Sequence, residues 1–192
     1  MKISLLALAF ITLRFAACSS SNEAGGPPSY TAEAPLPKGW PAPGPYDQVS
    51  VKTYPPYRTA ETAGRSETLS FFRLFDHIKD RQIPMTAPVE MTMESSPNSL
   101  KKENMRFLYQ NTKVGERGDF DRVRVADQPP VTAYSYAFMG RDNEANIARA
   151  REAIDVKLAR QGKTAQAYRL LGYNGPDVPK DRQTWELQAI VD

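Results

Sequence analysis

Histidine and cysteine occur once each in these 192 residues. The single cysteine, Cys18, excludes an intrachain disulfide. With His77 its only companion, no zinc site of the Cys/His type can be built. A serine nucleophile activated by histidine would depend on His77, and no G-x-S-x-G elbow is present. No block of lysine and arginine stands out, so the phosphate-neutralising footprint of a nucleic-acid binder is missing. The apolar run at residues 3–13 is too short to span a bilayer as a helix.

What is present is ordinary globular material. Hydrophobic residues make up 41% and charged residues 24%, in a chain long enough for one domain with a sizeable core. The start has the layout of an export signal: Lys2, the apolar run, then Phe15-Ala16-Ala17-Cys18 and serines. Small residues before a cysteine resemble a bacterial lipoprotein signal. The expectation is a leader over residues 1–17 and lipidation of Cys18, with a plain secretory signal or an uncleaved anchor as the alternatives. Ser19 in place of an aspartate points to the outer membrane, facing the periplasm. Loss of Lys2 and Arg14 would leave 23 basic residues against 22 acids, close to neutral.

Seven prolines fall between Pro27 and Pro45. This composition predicts an extended tether over residues 18–45, with the folded domain at 46–192. Within that domain VSVKTYPPY at 49–57 is echoed by VRVADQPPV at 123–131, offset by 74. Each copy has alternating valines, a Pro-Pro pair, a second extended run and then a helical segment, which argues for duplication. Helices are expected at 66–79, capped by Ser66, and at 143–161, capped by Asp142 or Asn143 and stopped by Gly162. The first shows a stripe of Phe71, Leu74, Phe75 and Ile78, widened by Leu69 and Phe72. The second shows Ile147, Ala150, Ile154 and Leu158. Strands are expected at 49–54, 57–62, 83–93, 105–110, 123–126, 131–139, 165–171 and 184–191. The fold class is α+β: two similar halves on a mostly antiparallel sheet with two helices.

In IPMTAPVEMTM, residues 83–93, every second residue is apolar, with Met85, Met91 and Met93 among them. Thioethers could gather a soft metal. A wholly apolar face is more simply a core wall or pocket lining. Glu90 and Glu94 fall on the opposite face, where solvent is expected. Hydrolysis by carboxylates would need two acids converging on a cleft.

Three stretches in order resemble the SOUL/haem-binding protein family: VSVKTYPPY at 49–57, FFRLFDHIKDRQIPMTAPV at 71–89 and GYNGPDVPKDR at 172–182. The resemblance spans residues 46–191. It implies duplicated βαββ halves in a twisted, barrel-like sheet flanked by two helices, related to bacterial effector-binding domains. It also implies haem, or another tetrapyrrole, on an apolar face of the first helix. Carried over by position, the contacts are Phe71, Phe75, Ile78 and Met85. Positions where some members offer basic residues hold Thr68 and Asp76 here, leaving Arg73 and Lys79 as the cations of that helix. His77 is the sole candidate for an axial iron ligand. Two other functions stay open: a binder of a different apolar small molecule, and a hydrolase, which would need a buried acid in its cleft.

Overall fold

A computed structural model describes residues 30–191 apart from 65 and 98. Cys18 and the leader lie outside these residues. The elements are β1 (Val49–Tyr54), β2 (Tyr57–Ala63), α1 (Glu67–Asp80), β3 (Val89–Ser96), β4 (Ser99–Leu108), β5 (Gly118–Phe120), β6 (Val123–Gln128), β7 (Val131–Met139), α2 (Glu144–Arg160), β8 (Ala167–Gly172) and β9 (Thr184–Val191).

The strands form one sheet in the order β1-β7-β9-β8-β3-β4-β2-β6-β5, with all neighbours antiparallel. The order explains the repeat. Each half contributes a three-stranded unit, β2-β4-β3 and β7-β9-β8, and the units join at β3 and β8. Each half then lends its first strand to the other: β1 pairs with β7, and β6 with β2. The valine and Pro-Pro echo marks these exchanged strands and the breaks that follow them. The short β5, which extends the β6 edge, has no counterpart in the echo.

Local chemistry sets the helix ends. The Ser66 side chain accepts a hydrogen bond from the Leu69 amide, and Asn143 accepts from the Asn146 amide. Gly162 adopts φ +62° just past α2, where a residue with a Cβ would be strained. Both helices cover one face of the sheet. Under α2 pack Met91, Met93, Phe138, Leu170 and Leu187. Under α1 pack Ala60, Ile83, Met105, Phe107 and Val125. Each fully buried Leu, Ile or Phe is worth roughly 1.5–3 kcal/mol relative to exposure. The methionines are thus divided between two cores, and they act as walls.

Three expectations need correction. The strand expected from residue 83 begins at Val89, and residues 83–88 run as a loop in which buried Thr86 donates to the Leu108 carbonyl at 2.6 Å. Of the expected tether, residues 30–45 pack onto the domain. Trp40 is 6% exposed, and the backbone is bonded from the Lys38 amide to the Gln110 carbonyl and from the Ala87 amide to the Pro35 carbonyl. Glu90 does not face solvent: it is 1% exposed. The alternation of β3 was read as one dry face and one wet face. β3 lies mid-sheet, however, and its second face is covered as well.

Candidate functional site

Two surfaces are candidates for a ligand site. The first is the outer face of α1. Its buried residues are Ser70, Leu74, His77 and Ile78. Its exposed ones include Leu69 (57%), Phe72 (56%) and Phe75 (40%). Only two other large hydrophobics among the described residues are comparably exposed, Val51 and Val156. The ring of Phe71 is the hinge between the two sides of the helix. It stacks on Phe75 with centroids 6.1 Å apart and meets core Phe107 edge-on at 5.1 Å. Exposed Lys79 lies one turn beyond Phe75 on the same face.

The expected site residues separate here. Phe75 is at the surface, and Phe71 and Met85 are half-buried. Ile78 is a core residue at 4% exposure and has no surface to offer a ligand. Phe72, read as part of the buried stripe, is the most exposed of the aromatics on α1. His77 lies on the far side of the helix from Phe72 and Phe75. It is buried, its Nε2 is 2.9 Å from the Tyr109 hydroxyl, and its ring packs 5.4 Å from Phe120. Burial, and after it the positive charge of Arg81, hold its pKa down at about 4. The imidazole is therefore neutral at pH 7 and already engaged.

The second surface is the face of the sheet opposite the helices. Alternate residues of seven strands bring a polar and aromatic layer together there. Glu61, Arg106 and Glu90 are direct cross-strand neighbours on β2, β4 and β3, and Arg106 bonds both acids. Arg169 on β8 bonds Glu90 at 2.9 Å, the Tyr57 hydroxyl at 2.8 Å and Gln188 at 2.8 Å. Glu186 on β9 accepts from Lys52, from Ser135 and, at 2.7 Å, from Tyr173. Burial, and next to it the negative charge of Glu186, drive the hydroxyl of Tyr173 well above its ordinary pKa. Burial, with Glu90 second, does the same for Tyr57. Three cations and three carboxylates balance, which is the condition for burying so many charges. The sequence signal that would have found this layer is charge at mid-strand on several strands at once, together with a tryptophan in an apparent linker.

The family model described as SOUL heme-binding protein matches residues 42–186. The chain belongs to this family. No curated protein sequence matches it. Among solved structures, the C-terminal domain of EcmrR matches this SOUL protein with TM-score 0.57 and 14% identity, over 76% of this chain and 97% of that one. EcmrR in complex with DNA matches at 0.58 and 14%, and there the match spans 76% of this chain and only 57% of that chain. A hydrolase from Listeria innocua matches at 0.55 and 12%, over 78% and 94%. At these identities the likeness shows the fold, an effector-binding-domain-like α+β fold, and nothing of the chemistry.

On α1 a tetrapyrrole's flat face would meet apolar side chains, and its iron would not meet an imidazole. Leu69, Phe72 and Phe75 present an apolar surface with two aromatic rings on one helix. Its single imidazole points the other way and is bonded to Tyr109.

Proposed function

We propose that this protein binds haem or a related tetrapyrrole against the outer face of α1, and that it does so from the bacterial cell envelope, anchored through a lipidated Cys18. The observation that carries the reading is the exposure of Leu69, Phe72 and Phe75 together on α1. Large apolar groups gathered in water mark a binding surface. Stacking of ring on ring is worth about 0.5–1.5 kcal/mol per pair beyond area burial. Lys79 and Arg73 supply charge for the propionates. Haem would bring its own redox and gas chemistry, while the chain supplies the apolar seat and the cations. The family match supports this choice of ligand. A different apolar molecule on the same face is the alternative.

Titration of the protein with hemin and with metal-free protoporphyrin IX tests it. Both should bind saturably and within about threefold of each other, because His77 does not reach the iron. Phe72→Ala/Phe75→Ala should weaken both at least tenfold. Binding of hemin that far exceeds that of protoporphyrin would show that the iron is ligated. Absence of saturable binding to either would move the site to another apolar molecule.

The hydrolase reading fares less well. The buried acids it requires are present in Glu90 and Glu186. Each carboxylate, however, accepts from three donors within the protein. They serve as counter-ions to Lys52, Arg106 and Arg169.

A further inference from the structure

The polar face of the sheet holds a feature that the haem reading leaves unused. The guanidinium of Arg169 sits among three rings, 4.7 Å from the Tyr54 centroid, 5.4 Å from Trp40 and 5.7 Å from Tyr57. Its Nη1 and Nε are bonded, as described above. Its Nη2 is buried and has no hydrogen-bond partner among the described residues. A buried donor without an acceptor carries the cost of its lost hydration, and such a group marks a place where an acceptor can arrive.

The way in is through Trp40. Tyr54 and Tyr57 belong to the sheet, whereas Trp40 belongs to the segment 30–45 laid over it. The indole lies 4.5 Å from Tyr54 and 5.1 Å edge-on to Tyr57. Few polar contacts hold the segment down: two backbone bonds at Lys38 and Pro35, Lys52 on the Ala42 carbonyl, Glu33 and Thr31 against Asn174 and Gly175, and the Trp40 indole beside the Tyr173 hydroxyl. Outside the indole lies a cavity of about 470 Å³, lined among others by Pro37, Pro56, Tyr57, Lys38 and Lys113.

We propose that Trp40 plugs a binding seat for a planar aromatic anion of bicyclic size, which replaces the indole between Tyr54 and Tyr57 and accepts a hydrogen bond from Nη2 of Arg169. The indole gives the ring size. The unused donor gives the acceptor. Lys38 and Lys113 at the mouth give the sign of the charge. The two nearby carboxylates are already neutralised by Arg106, Arg169 and Lys52, so they do not bar an anion. The seat is separate from α1 and does not depend on the tetrapyrrole reading.

The experiment is calorimetric titration of the full chain and its Trp40→Ala variant with 2-naphthoate and with 2-naphthylmethylammonium, which share a ring system and differ in charge. The variant should bind one naphthoate per chain, at least tenfold tighter than the unaltered protein does and at least tenfold tighter than it binds the ammonium. Adding Arg169→Lys, which keeps the charge and removes Nη2, should cost tenfold. Phe72→Ala/Phe75→Ala should leave naphthoate binding unchanged. Equal affinity for the two probes, no gain on removing the indole, or loss of binding in the α1 variant would each overturn the proposal. If circular dichroism shows that Trp40→Ala does not fold, Trp40→Phe takes its place. Its smaller ring should still tighten naphthoate binding at least threefold, and no tightening would overturn the proposal.

Discussion

The two helices hold equivalent places in a duplicated fold, yet two of the four residues that α1 buries are polar, whereas α2 buries apolar residues throughout. Aligned from their caps, Ser66 and Asn143, buried Ser70 and His77 of α1 stand where α2 has buried Ile147 and Ile154. Exposed Leu69, Phe72 and Phe75 stand where α2 has Asn146, Arg149 and Glu152. A helix placed only for stability would look like α2, with aliphatic residues inward and polar ones outward. α1 departs from that pattern inside at Ser70 and His77, and outside at Leu69, Phe72 and Phe75. This contrast supports the proposed seat on α1 over one on its twin.

The comparison can be broken most forcefully at Ile154, which is fully buried under α2. Ile154→Ala should cost about 2–5 kcal/mol, since it removes transfer energy and leaves a cavity. Urea denaturation reads this directly. Porphyrin binding by the fraction still folded should be unchanged.

Its counterpart His77 should cost stability only in acid. In the fold its pKa is about 4, against 6.5 for an unhindered histidine. Below pH 6.5 the unfolded chain takes up a proton that the folded chain refuses. Stability is therefore whole above pH 6.5 and falls as the pH drops towards 4, by up to about 3 kcal/mol. Replacing the pair as His77→Ile/Tyr109→Phe makes α1 resemble α2 and strands neither hydrogen-bond partner. Denaturation at pH 7 should change little, while at pH 4.5 the variant should be more stable than the parent by about 2–3 kcal/mol. An equal acid loss in both proteins would show that other groups carry the effect.

Ser70 gives a smaller test. Its hydroxyl is buried without a hydrogen-bond partner among the described residues. Ser70→Ala removes the unsatisfied group and should stabilise the protein by about 1 kcal/mol, measured as a higher denaturation midpoint.

These contrasts also show what the sequence makes legible. The echo at offset 74 gives the duplication because exchanged strands need the same valine alternation and the same Pro-Pro break. The stripe of α2 is plain because every inward residue is apolar. α1 defeats the same rule. Its apolar residues are of two kinds, those that pack and those that lie exposed, and hydrophobicity does not distinguish them. The error at Glu90 has a related cause. Alternation assigns a strand's polar side to water, but here seven strands turn polar residues towards one another, and Arg106 and Arg169 take the place of solvent. Trp40 and its neighbours were hidden by composition: a Pro-rich stretch cannot make a core of its own, but it can cover one that the sheet provides.

The last contrast is made by exchange. Phe72→Arg/Phe75→Glu gives α1 the outward residues of α2 at the matching positions. Both sites are exposed, so neither change opens a cavity or buries a charge. The new Arg at 72 faces Asp76, and the new Glu at 75 faces Lys79, each at the i, i+4 spacing that favours opposite charges. The expected change in stability is within about 0.5 kcal/mol. Affinity for hemin and for protoporphyrin IX should nevertheless fall at least tenfold, because the apolar seat is gone and a carboxylate stands in it. A variant that keeps its affinity would place the tetrapyrrole elsewhere on the protein and leave the contrast between α1 and α2 without a function. A variant that loses both affinity and stability would mean that Phe72 and Phe75 belong to the packing of the domain, despite the exposure that sets α1 apart from α2.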